Sequence, residues 1–318
     1  MKYLITGGAG FIGSHLADAL IARGDSVAVL DNLSTGNLKN VAHLESINNF
    51  TLINGSILDE ALVEKAVKNV DHILHLAASV GVFNIVKKPL ESLITNINGT
   101  EIILKVASKY SKPVLIASSS EVYGKNSNMP LDEESDRVIG SPLKSRWSYS
   151  EAKAIDESMG YFYFLENKLE IRIMRLFNTV GPRQSGDYGM VLPRFMKSAL
   201  LGDDLVIYGN GEQTRSFCHV DDVVKAICLL VNSLEAIGQA INIGNNQEIT
   251  INNLAKKVIE ITESKSRIVH LDYEQAYNDG YEDLNRRIPN ISKAKKYLNW
   301  KPINSIDQII KDTERFYR

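Results

Sequence analysis

Tyr149 and Lys153 are the residues whose types and spacing most directly suggest chemistry. They lie four positions apart, so in a helix both side chains share one face. A free phenol has a pKa of about 10, too high for a base at neutral pH, and a nearby ammonium favours its ionised form. Lowering that pKa by about 3 units requires roughly 4 kcal/mol of differential stabilisation. The pair predicts a tyrosine base assisted by a lysine, and the alternative is an exposed tyrosine beside a solvated lysine.

Hydroxyl side chains precede this pair, at the end of an apolar segment. Residues 114–117 (VLIA) lead directly into Ser118, Ser119, Ser120 and Glu121. Catalytic groups in open α/β sheets gather at the carboxyl ends of the strands. We therefore predict that Ser119 acts with Tyr149, and that Ser120 and Glu121 belong to the same site. Glu121 could instead serve only as an ion-pair partner.

A glycine-rich turn follows the first predicted strand at residues 6–13 (TGGAGFIG). Gly7 permits a tight turn, Gly10 permits close approach of a pyrophosphate, and Gly13 permits close helix–sheet packing. The helix that begins here presents free N–H groups and a partial positive charge to phosphate. Asp31 ends the second strand, where a carboxylate accepts hydrogen bonds from an adenosine ribose. Because this carboxylate would repel a 2′-phosphate, the pattern predicts NAD rather than NADP.

The first half of the chain alternates short apolar runs with amphipathic helical patterns, which is typical of βαβ units around a parallel sheet. We predict a Rossmann-type doubly wound α/β fold, with residues 1–180 forming the NAD-binding domain and residues 181–318 forming a smaller α/β substrate lobe. The predicted strands are Tyr3–Thr6, Ser26–Leu30, Phe50–Ile53, His72–Leu76, Val114–Ala117 and Ile171–Arg175. The predicted helices are His15–Ala22, Glu60–Val67, Leu93–Lys109, Tyr149–Glu166, Asp221–Asn232, Ile251–Thr262 and Ile306–Phe316.

Composition narrows the functional classes. The 318 residues carry 36 Lys and Arg against 38 Asp and Glu, a net charge of −2, which gives no electrostatic basis for binding nucleic acid or an anionic membrane. No apolar run is long enough to span a bilayer, and no signal peptide is evident. Two cysteines cannot build a disulfide framework, and no metal-ligand spacing is present. These features favour a cytoplasmic protein without a metal.

Together these motifs resemble the extended short-chain dehydrogenases/reductases, in the group of nucleotide-sugar epimerases, dehydratases and decarboxylases. The resemblance covers nearly the whole chain. The segments that carry it are residues 6–13 (TGGAGFIG), 75–78 (HLAA), 96–100 (NINGT), 119–124 (SSEVYG), Tyr149–Lys153, 175–183 (RLFNTVGPR), 211–217 (GEQTRSF) and 300–302 (WKP).

The resemblance implies a seven-stranded sheet that holds NAD and a C-terminal lobe that binds an NDP-sugar, most plausibly a UDP-sugar. It implies that Tyr149 removes the proton of the sugar 4-hydroxyl, that Lys153 assists it, and that Ser119 binds the 4-oxygen while hydride passes from C4 to NAD⁺. Relatives often form homodimers through two helices, here residues 93–109 and 149–166. The implied cofactor contacts are Gly7, Gly10, Phe11, Ile12, Gly13, Asp31, Asn32, Ser56, Ile57, Ala77, Ala78, Asn96, Tyr149 and Lys153. The implied substrate contacts are Asn178, Val206, Tyr208, Arg215 and Arg287.

The fate of the resulting 4-keto sugar is open at this point. The 4,6-dehydratases of the group carry Asp-Glu where this chain has Ser120 and Glu121, and simple 4-epimerases usually lack the Glu. The Ser-Glu pair resembles UDP-glucuronate decarboxylases, which makes UDP-glucuronate decarboxylation the preferred interpretation. Alternatives are 4-epimerisation of a UDP-hexose, UDP-hexuronate or UDP-N-acetylhexosamine, an NDP-sugar dehydratase, and a non-catalytic NAD-binding module.

Overall fold

The computed structural model describes residues 1–79, 88–186, 190–272 and 286–318. Its centre is a seven-stranded sheet whose order is β11-β6-β5-β4-β1-β2-β3, and every neighbouring pair is parallel. The strands of this sheet are β1 Lys2–Thr6, β2 Ser26–Asp31, β3 Phe50–Asn54, β4 His72–His75, β5 Val114–Ser119, β6 Ile171–Leu176 and β11 Ala240–Ile243. The order reverses beside β1, as in the predicted doubly wound fold, so that prediction is confirmed.

Helices cover both faces of the sheet, which explains why its strands are apolar throughout rather than alternating. The helices in the described residues are α1 Phe11–Ala22, α2 Glu60–Val67, α3 Pro89–Lys109, α4 Ser148–Asn167, α5 Val191–Leu201, α6 Val220–Asn232, α7 Ile251–Thr262, α8 Ser292–Leu298 and α9 Ile306–Tyr317. Leu16 of α1 and Ile227 of α6 bury one face, and Val63 of α2 and Ile103 of α3 bury the other.

A second layer of structure follows the sheet in sequence. Three further pairs of strands lie there: β7 Thr179–Val180 with β10 Cys218–His219, β9 Thr214–Ser216 with β12 Glu248–Thr250, and β8 Leu205–Tyr208 with β13 Ile268–Leu271. A separate core joins α5, α7 and α9 through Phe195, Leu254 and Ile309. Within the part of the chain that the structure describes, no helix is long and apolar enough to cross a membrane.

The seventh strand comes from the second half of the chain. Strand β11 pairs with β6, with Ile241 opposite Met174, and α6 packs on the same side of the sheet as α1. The chain therefore returns to the sheet after residue 180. Both halves of the chain therefore contribute strands to the central sheet. The division into two domains at residue 180 stays a prediction.

Candidate active site

Tyr149 lies in the first turn of α4, next to the carboxyl end of β5. Ser119 is the last residue of β5, and its hydroxyl accepts the Glu121 N–H at 3.2 Å, which caps the 3-10 helix Ser120–Tyr123. The Ser119 side chain also acts on the Tyr149 phenol, whose pKa it lowers. A strand end and a helix start thus bring the serine and the tyrosine together, as the sequence predicted.

Burial dominates the protonation of Tyr149. It raises the pKa of the phenol above its ordinary value, although the Lys153 ammonium lowers it. Negative charge on Glu121 and Asp156 raises the pKa further. The lysine alone therefore leaves the phenol protonated at neutral pH, and ionisation needs a second positive charge close to the ring.

Lys153 lies one turn further along α4 and is almost completely buried. Its Nζ donates to Asp156 Oδ2 at 3.1 Å, and Asp156 has no exposed surface. Burial lowers the pKa of Lys153, but the Asp156 carboxylate more than compensates, so the pKa is raised. The lysine is therefore an ammonium, as assistance to Tyr149 requires.

Glu121 is held between two guanidinium groups, which we call the arginine clamp. Arg146 Nη1 donates to Oε2 at 2.6 Å, and Arg287 Nη1 donates to Oε1 at 2.5 Å. Burial would raise the pKa of Glu121, yet Arg287 and Arg146 hold it far below its ordinary value. The carboxyl is permanently ionised and is a poor proton acceptor. Glu121 is thus an ion-pair partner of both arginines, as one of the two interpretations of the sequence held. Its negative charge acts on the Tyr149 phenol.

The adjacent arginines Arg286 and Arg287 point in different directions. Arg286 is exposed and forms a bidentate pair with Glu248, with its shortest contact at 2.7 Å. Arg287 is buried against Glu121, and among the described residues its Nε has no hydrogen-bond partner. The resemblance implied that Arg287 contacts the substrate, and the structure places its guanidinium in the arginine clamp. From the sequence alone, Arg286 and Arg287 could instead pair with Glu282 and Asp283, which lie outside the described residues.

A buried network supports the strand ends behind Ser119. Arg175 forms a bidentate pair with Glu157 of α4, with contacts of 2.7 and 2.9 Å. Ser118 donates to the same carboxylate at 2.5 Å. Ser118 is thus directed into the scaffold, and β5, β6 and α4 are tied together immediately beneath the site.

The glycine-rich turn has the shape that a dinucleotide requires. Gly7 has φ +71°, and a Cβ there would lie 2.8 Å from the Ala77 nitrogen. A Cβ on Gly13 would collide with the carbonyl oxygen of Gly7. Helix α1 begins after Gly10 with no side-chain cap, so Phe11, Ile12 and Gly13 supply the N–H groups of its first turn. These residues fit the pyrophosphate of the predicted cofactor.

Asp31 also fits its predicted role at a ribose. It is buried at the end of β2, where Oδ2 accepts the Ala9 N–H at 2.9 Å and Oδ1 accepts the Leu33 N–H at 2.8 Å. A Cβ on Gly36 would lie 2.8 Å from this carboxylate, so the residue opposite must be small. Each carboxylate oxygen retains acceptor capacity for a hydroxyl.

The remaining predicted cofactor residues differ in how many hydrogen bonds they make and in how deeply they are buried. Asn96 is buried and binds the backbone of Ser79 through both its oxygen, at 2.7 Å, and its nitrogen. Asn32, Ser56 and Ala77 follow the ends of strands. The side-chain oxygen of Asn32 accepts the Ser34 N–H, and the Ser56 hydroxyl accepts the Leu58 N–H. The Ala77 N–H donates to the Thr6 hydroxyl. Ile57 is buried against Gly99, and Ala78 is half-buried beside Ala77.

The predicted substrate residues are spread over the second layer. Asn178 precedes β7 and donates to the Ser216 carbonyl at 3.0 Å, while Arg215 lies on β9 and donates to the Thr214 carbonyl. Val206 and Tyr208 lie on β8 and are half-buried. The guanidinium of Arg194 sits 4.3 Å from the centre of the Tyr208 ring.

Sequence reasoning missed Arg146, Asp156 and Arg194. Arg146 lies three positions before Tyr149 and has no distinguishing pattern, since it acquires a partner only when β5 and α4 meet. Asp156 follows Lys153 by three positions, a spacing that could have indicated a helical ion pair. Arg194 carries no sequence signal for stacking on Tyr208.

The glycine-rich βαβ edge and the Ser119, Tyr149 and Lys153 site define an extended short-chain dehydrogenase/reductase. The chain belongs to the family described as GDP-mannose 4,6 dehydratase, which it matches over residues 4–313.

Three relatives show what the chain is similar to. A UDP-N-acetyl-alpha-D-glucosaminuronate decarboxylase from Bacillus cytotoxicus is 42% identical over 318 residues, covering 100% of this chain and 98% of that protein. UDP-glucuronic acid decarboxylase 1 from Xenopus tropicalis is 38% identical over 317 residues, covering 100% and 72%. The structure of UDP-glucuronic acid 4-epimerase from Bacillus cereus, in complex with UDP-glucuronic acid and NAD, superimposes with a TM-score of 0.89 at 27% identity, covering 99% and 98%.

Proposed function

We propose that this protein is an NAD-dependent decarboxylase of a UDP-linked hexuronic acid. The observation that carries the proposal is the arginine clamp, which places Arg287 and the ionised Glu121 beside Tyr149. The two decarboxylases among the relatives act on UDP-glucuronate and on its 2-acetamido counterpart, which supports a uronate as substrate.

The first half of the reaction is an oxidation at C4 of the sugar. When bound, NAD⁺ accepts a hydride from C4 and adds a positive charge close to Tyr149. Tyr149 in its phenolate form takes the 4-hydroxyl proton, and Ser119 donates a hydrogen bond to the 4-oxygen. Lys153 stabilises the phenolate electrostatically. The glycine-rich turn would hold the pyrophosphate of the cofactor, and Asp31 would hold its adenosine ribose.

The second half follows from the charges around Glu121. A 4-keto group makes the carboxylate on C5 part of a β-keto acid, which loses CO₂ readily. The enolate that remains takes up a proton at C5, and return of the hydride to C4 would restore the 4-hydroxyl and the oxidised cofactor. Arg146 and Arg287 bring two positive charges, and Glu121 neutralises one of them. Within the described structure the Nε N–H of Arg287 has no hydrogen-bond partner. A uronate carboxylate offers an acceptor for that N–H, which a neutral sugar lacks.

The same geometry disfavours a 4,6-dehydratase. That reaction needs a base at C5 and an acid that expels the C6 hydroxyl. Glu121 is a poor base because the clamp lowers its pKa, and buried Ser120 stands where the dehydratases of the group carry an Asp. A 4-epimerase uses the same first half, and the product analysis below separates it from a decarboxylase.

The purified protein should be incubated separately with UDP-glucuronate, UDP-N-acetylglucosaminuronate and UDP-glucose, with CO₂ measured and products assigned by NMR. We expect CO₂ and a UDP-sugar shortened by one carbon from at least one uronate, and no turnover of UDP-glucose. A C4 epimer that retains its carboxylate would replace the decarboxylase with a 4-epimerase. Inactivity on all three would reject the proposal.

The ionisation of Tyr149 should depend on the cofactor. Burial raises the pKa of the phenol in the free protein, and a positive nicotinamide beside it lowers that pKa. We expect phenolate absorbance in the near ultraviolet to develop at lower pH with NAD⁺ than with NADH, and kcat to rise with pH through the same midpoint. Equal midpoints in the two complexes would contradict this account.

A second copy of the chain is the proposed partner of α3 and α4. These two helices pack together and still leave large apolar side chains exposed, which is typical of an interaction surface when they are contiguous. The exposed side chains are Leu90, Ile94, Ile155, Phe162 and Leu165. The low cysteine count supports the further proposal that the dimer works in the cytoplasm.

Replacing Phe162, whose surface is 54% exposed, with Glu should convert the dimer into a monomer. A charge at the centre of an apolar interface leaves an unpaired carboxylate on each copy. Light scattering at micromolar concentration measures the change, and Leu234→Glu, on an exposed loop residue away from α3 and α4, is the control. A monomeric unmodified protein would reject this interface.

A further inference from the structure

We propose that Asp156 is a positioning residue that keeps Lys153 protonated and thereby sets the fraction of Tyr149 that is ionised. The inference rests on the proposed function, since it assigns Asp156 a role in preparing the Tyr149 base. Within the described structure Asp156 is hydrogen-bonded to Lys153 and makes no hydrogen bond to Tyr149, so it acts on the phenol through its charge and through Lys153.

The ion pair between the two residues is completely enclosed. Asp156 is 0% exposed and Lys153 is 2% exposed, with Nζ 3.1 Å from Oδ2. Desolvating two charges costs several kcal/mol each, and removal of one partner leaves an uncompensated charge. A lysine buried without a carboxylate releases its proton at a much lower pH. The ammonium of Lys153 therefore depends on Asp156.

The nearby carboxylates other than Asp156 are paired with arginines, so Asp156 is the counter-ion of Lys153. Within the described residues, Glu157 on the same helix is engaged by Arg175 of β6. Glu121, at the end of β5, is engaged by the arginine clamp. Neither of these carboxylates is available to replace Asp156 at the lysine.

The strand on the other side contributes His75, which is neutral. The Ala77 N–H donates to Thr6 Oγ1 at 3.1 Å, so the Thr6 hydroxyl can donate to His75 Nδ1 at 2.8 Å. This assigns the proton to Nε2, which then donates to Thr100 Oγ1 at 3.1 Å. Burial, together with the charge of Lys153, lowers the pKa of His75 to about 3.

Burial raises the pKa of Asp156, whereas the Lys153 ammonium and the nearby Thr100 hydroxyl act to lower it. Hydrogen bonds thus connect Thr6, His75 and Thr100, and Thr100 lies beside Asp156. This arrangement stabilises the carboxylate without adding a charge that could compete for Lys153.

Tyr149 and Lys153 titrate as a coupled pair, so Asp156 has two effects that can be measured separately. Its negative charge makes the first proton of the pair harder to remove, which raises the apparent pKa. Because Asp156 contacts Lys153, it also favours loss of that proton from Tyr149, which leaves a phenolate beside an ammonium, over loss from Lys153. Without Asp156, the first proton is lost at lower pH, but in a fraction of the molecules it is lost from Lys153 and not from Tyr149.

The test uses Asp156→Asn and Asp156→Ser, which remove the charge, and Asp156→Glu, which keeps it. Phenolate absorbance in the near ultraviolet is titrated with NAD⁺ bound, and the corresponding Tyr149→Phe double variant supplies the baseline. For either neutral variant we expect a midpoint at lower pH together with an amplitude reduced by about tenfold, which requires the ratio of ionised tyrosine to neutral lysine to fall about a hundredfold, or about two pKa units of differential coupling. The plateau of kcat should fall by the same factor, and Asp156→Glu should keep the unmodified midpoint.

A purely structural role for Asp156 would give a different result. An unchanged midpoint in a folded neutral variant, or an equal shift in Asp156→Glu, would overturn the proposal. Thermal melting with and without NAD⁺ establishes which variants are folded. Failure of the proposed function is distinguishable, since a protein that decarboxylates no uronate would still show the Tyr149 titration.

Discussion

Tyr149→Phe is expected to lower turnover by about a thousandfold while NAD⁺ binding changes less than about twofold. Loss of a positioned proton acceptor typically costs a factor of 10² to 10⁴, and a thousandfold loss corresponds to about 4 kcal/mol of transition-state stabilisation. The ring itself stays, so packing in the first turn of α4 is preserved. Ser119 and Lys153 keep their places, because neither depends on the phenolic oxygen for its backbone position.

Single-turnover measurements locate the defect. With a UDP-uronate added to the NAD⁺ complex, Tyr149→Phe should slow the appearance of reduced cofactor as much as it slows release of CO₂, since the base acts in the oxidation. Tyr163→Phe, on the same helix, is the matched control and should behave like the unmodified protein. Near-normal cofactor reduction in Tyr149→Phe would remove the phenol from the mechanism and leave only a dinucleotide-binding fold.

Local sequence patterns predicted most elements of the sheet within one or two residues. The predicted strand Tyr3–Thr6 is Lys2–Thr6, and the predicted helix Tyr149–Glu166 is Ser148–Asn167. Two helices begin four residues earlier than predicted. Helix α1 begins at Phe11 because glycines conceal its first turn, and α3 begins at Pro89, where a proline is well tolerated as the first helical residue.

The seventh strand, which is four residues long, was not identified from the sequence. Ala240–Ile243 becomes a strand through its pairing with β6, and that pairing joins residues far apart in sequence. Short apolar runs carry little information of their own. The resemblance implied a seventh strand without giving its place.

In the candidate site too, residues marked by their neighbouring sequence could be predicted, whereas contacts between residues far apart in sequence could not. Ser119, Tyr149 and Lys153 were predictable because each sits at a recognisable strand end or helix position. The arginine clamp was not, because Arg287 is 166 residues from Glu121 and reaches it only after the chain has returned to the site. The function of Arg287 stays a prediction, and its partner depends on tertiary structure.

Glu121→Gln should separate the two halves of the reaction. The amide keeps the shape of the side chain and removes the charge that neutralises one guanidinium of the clamp. The surroundings of the uronate carboxylate then become more positive by one charge. During loss of CO₂ the carboxylate gives up its negative charge, so stronger ion pairing stabilises the ground state more than the transition state.

We therefore expect release of CO₂ from the preferred UDP-uronate to fall by about a hundredfold, whereas KM stays equal or decreases. The C4 oxidation precedes this step and does not change the charge of the carboxylate. Reduced cofactor should consequently form and persist, and the 4-keto uronate should accumulate to a level detectable by NMR. The matched control is Glu151→Gln, which removes an exposed carboxylate 3.2 Å from Arg137 and should leave both steps unchanged.

The distribution of the defect decides between two roles for Glu121. If CO₂ release and cofactor reduction fall together, the carboxylate serves only to hold the site in shape, because disorder of Arg146 and Arg287 would affect every step. If the product becomes a C4 epimer with its carboxylate retained, the ketone is being reduced before CO₂ can leave, and the clamp controls which outcome follows oxidation. A selective loss of CO₂ release identifies Glu121 as the residue that tunes how tightly the substrate carboxylate is held, since charge is the property that the glutamine substitution changes.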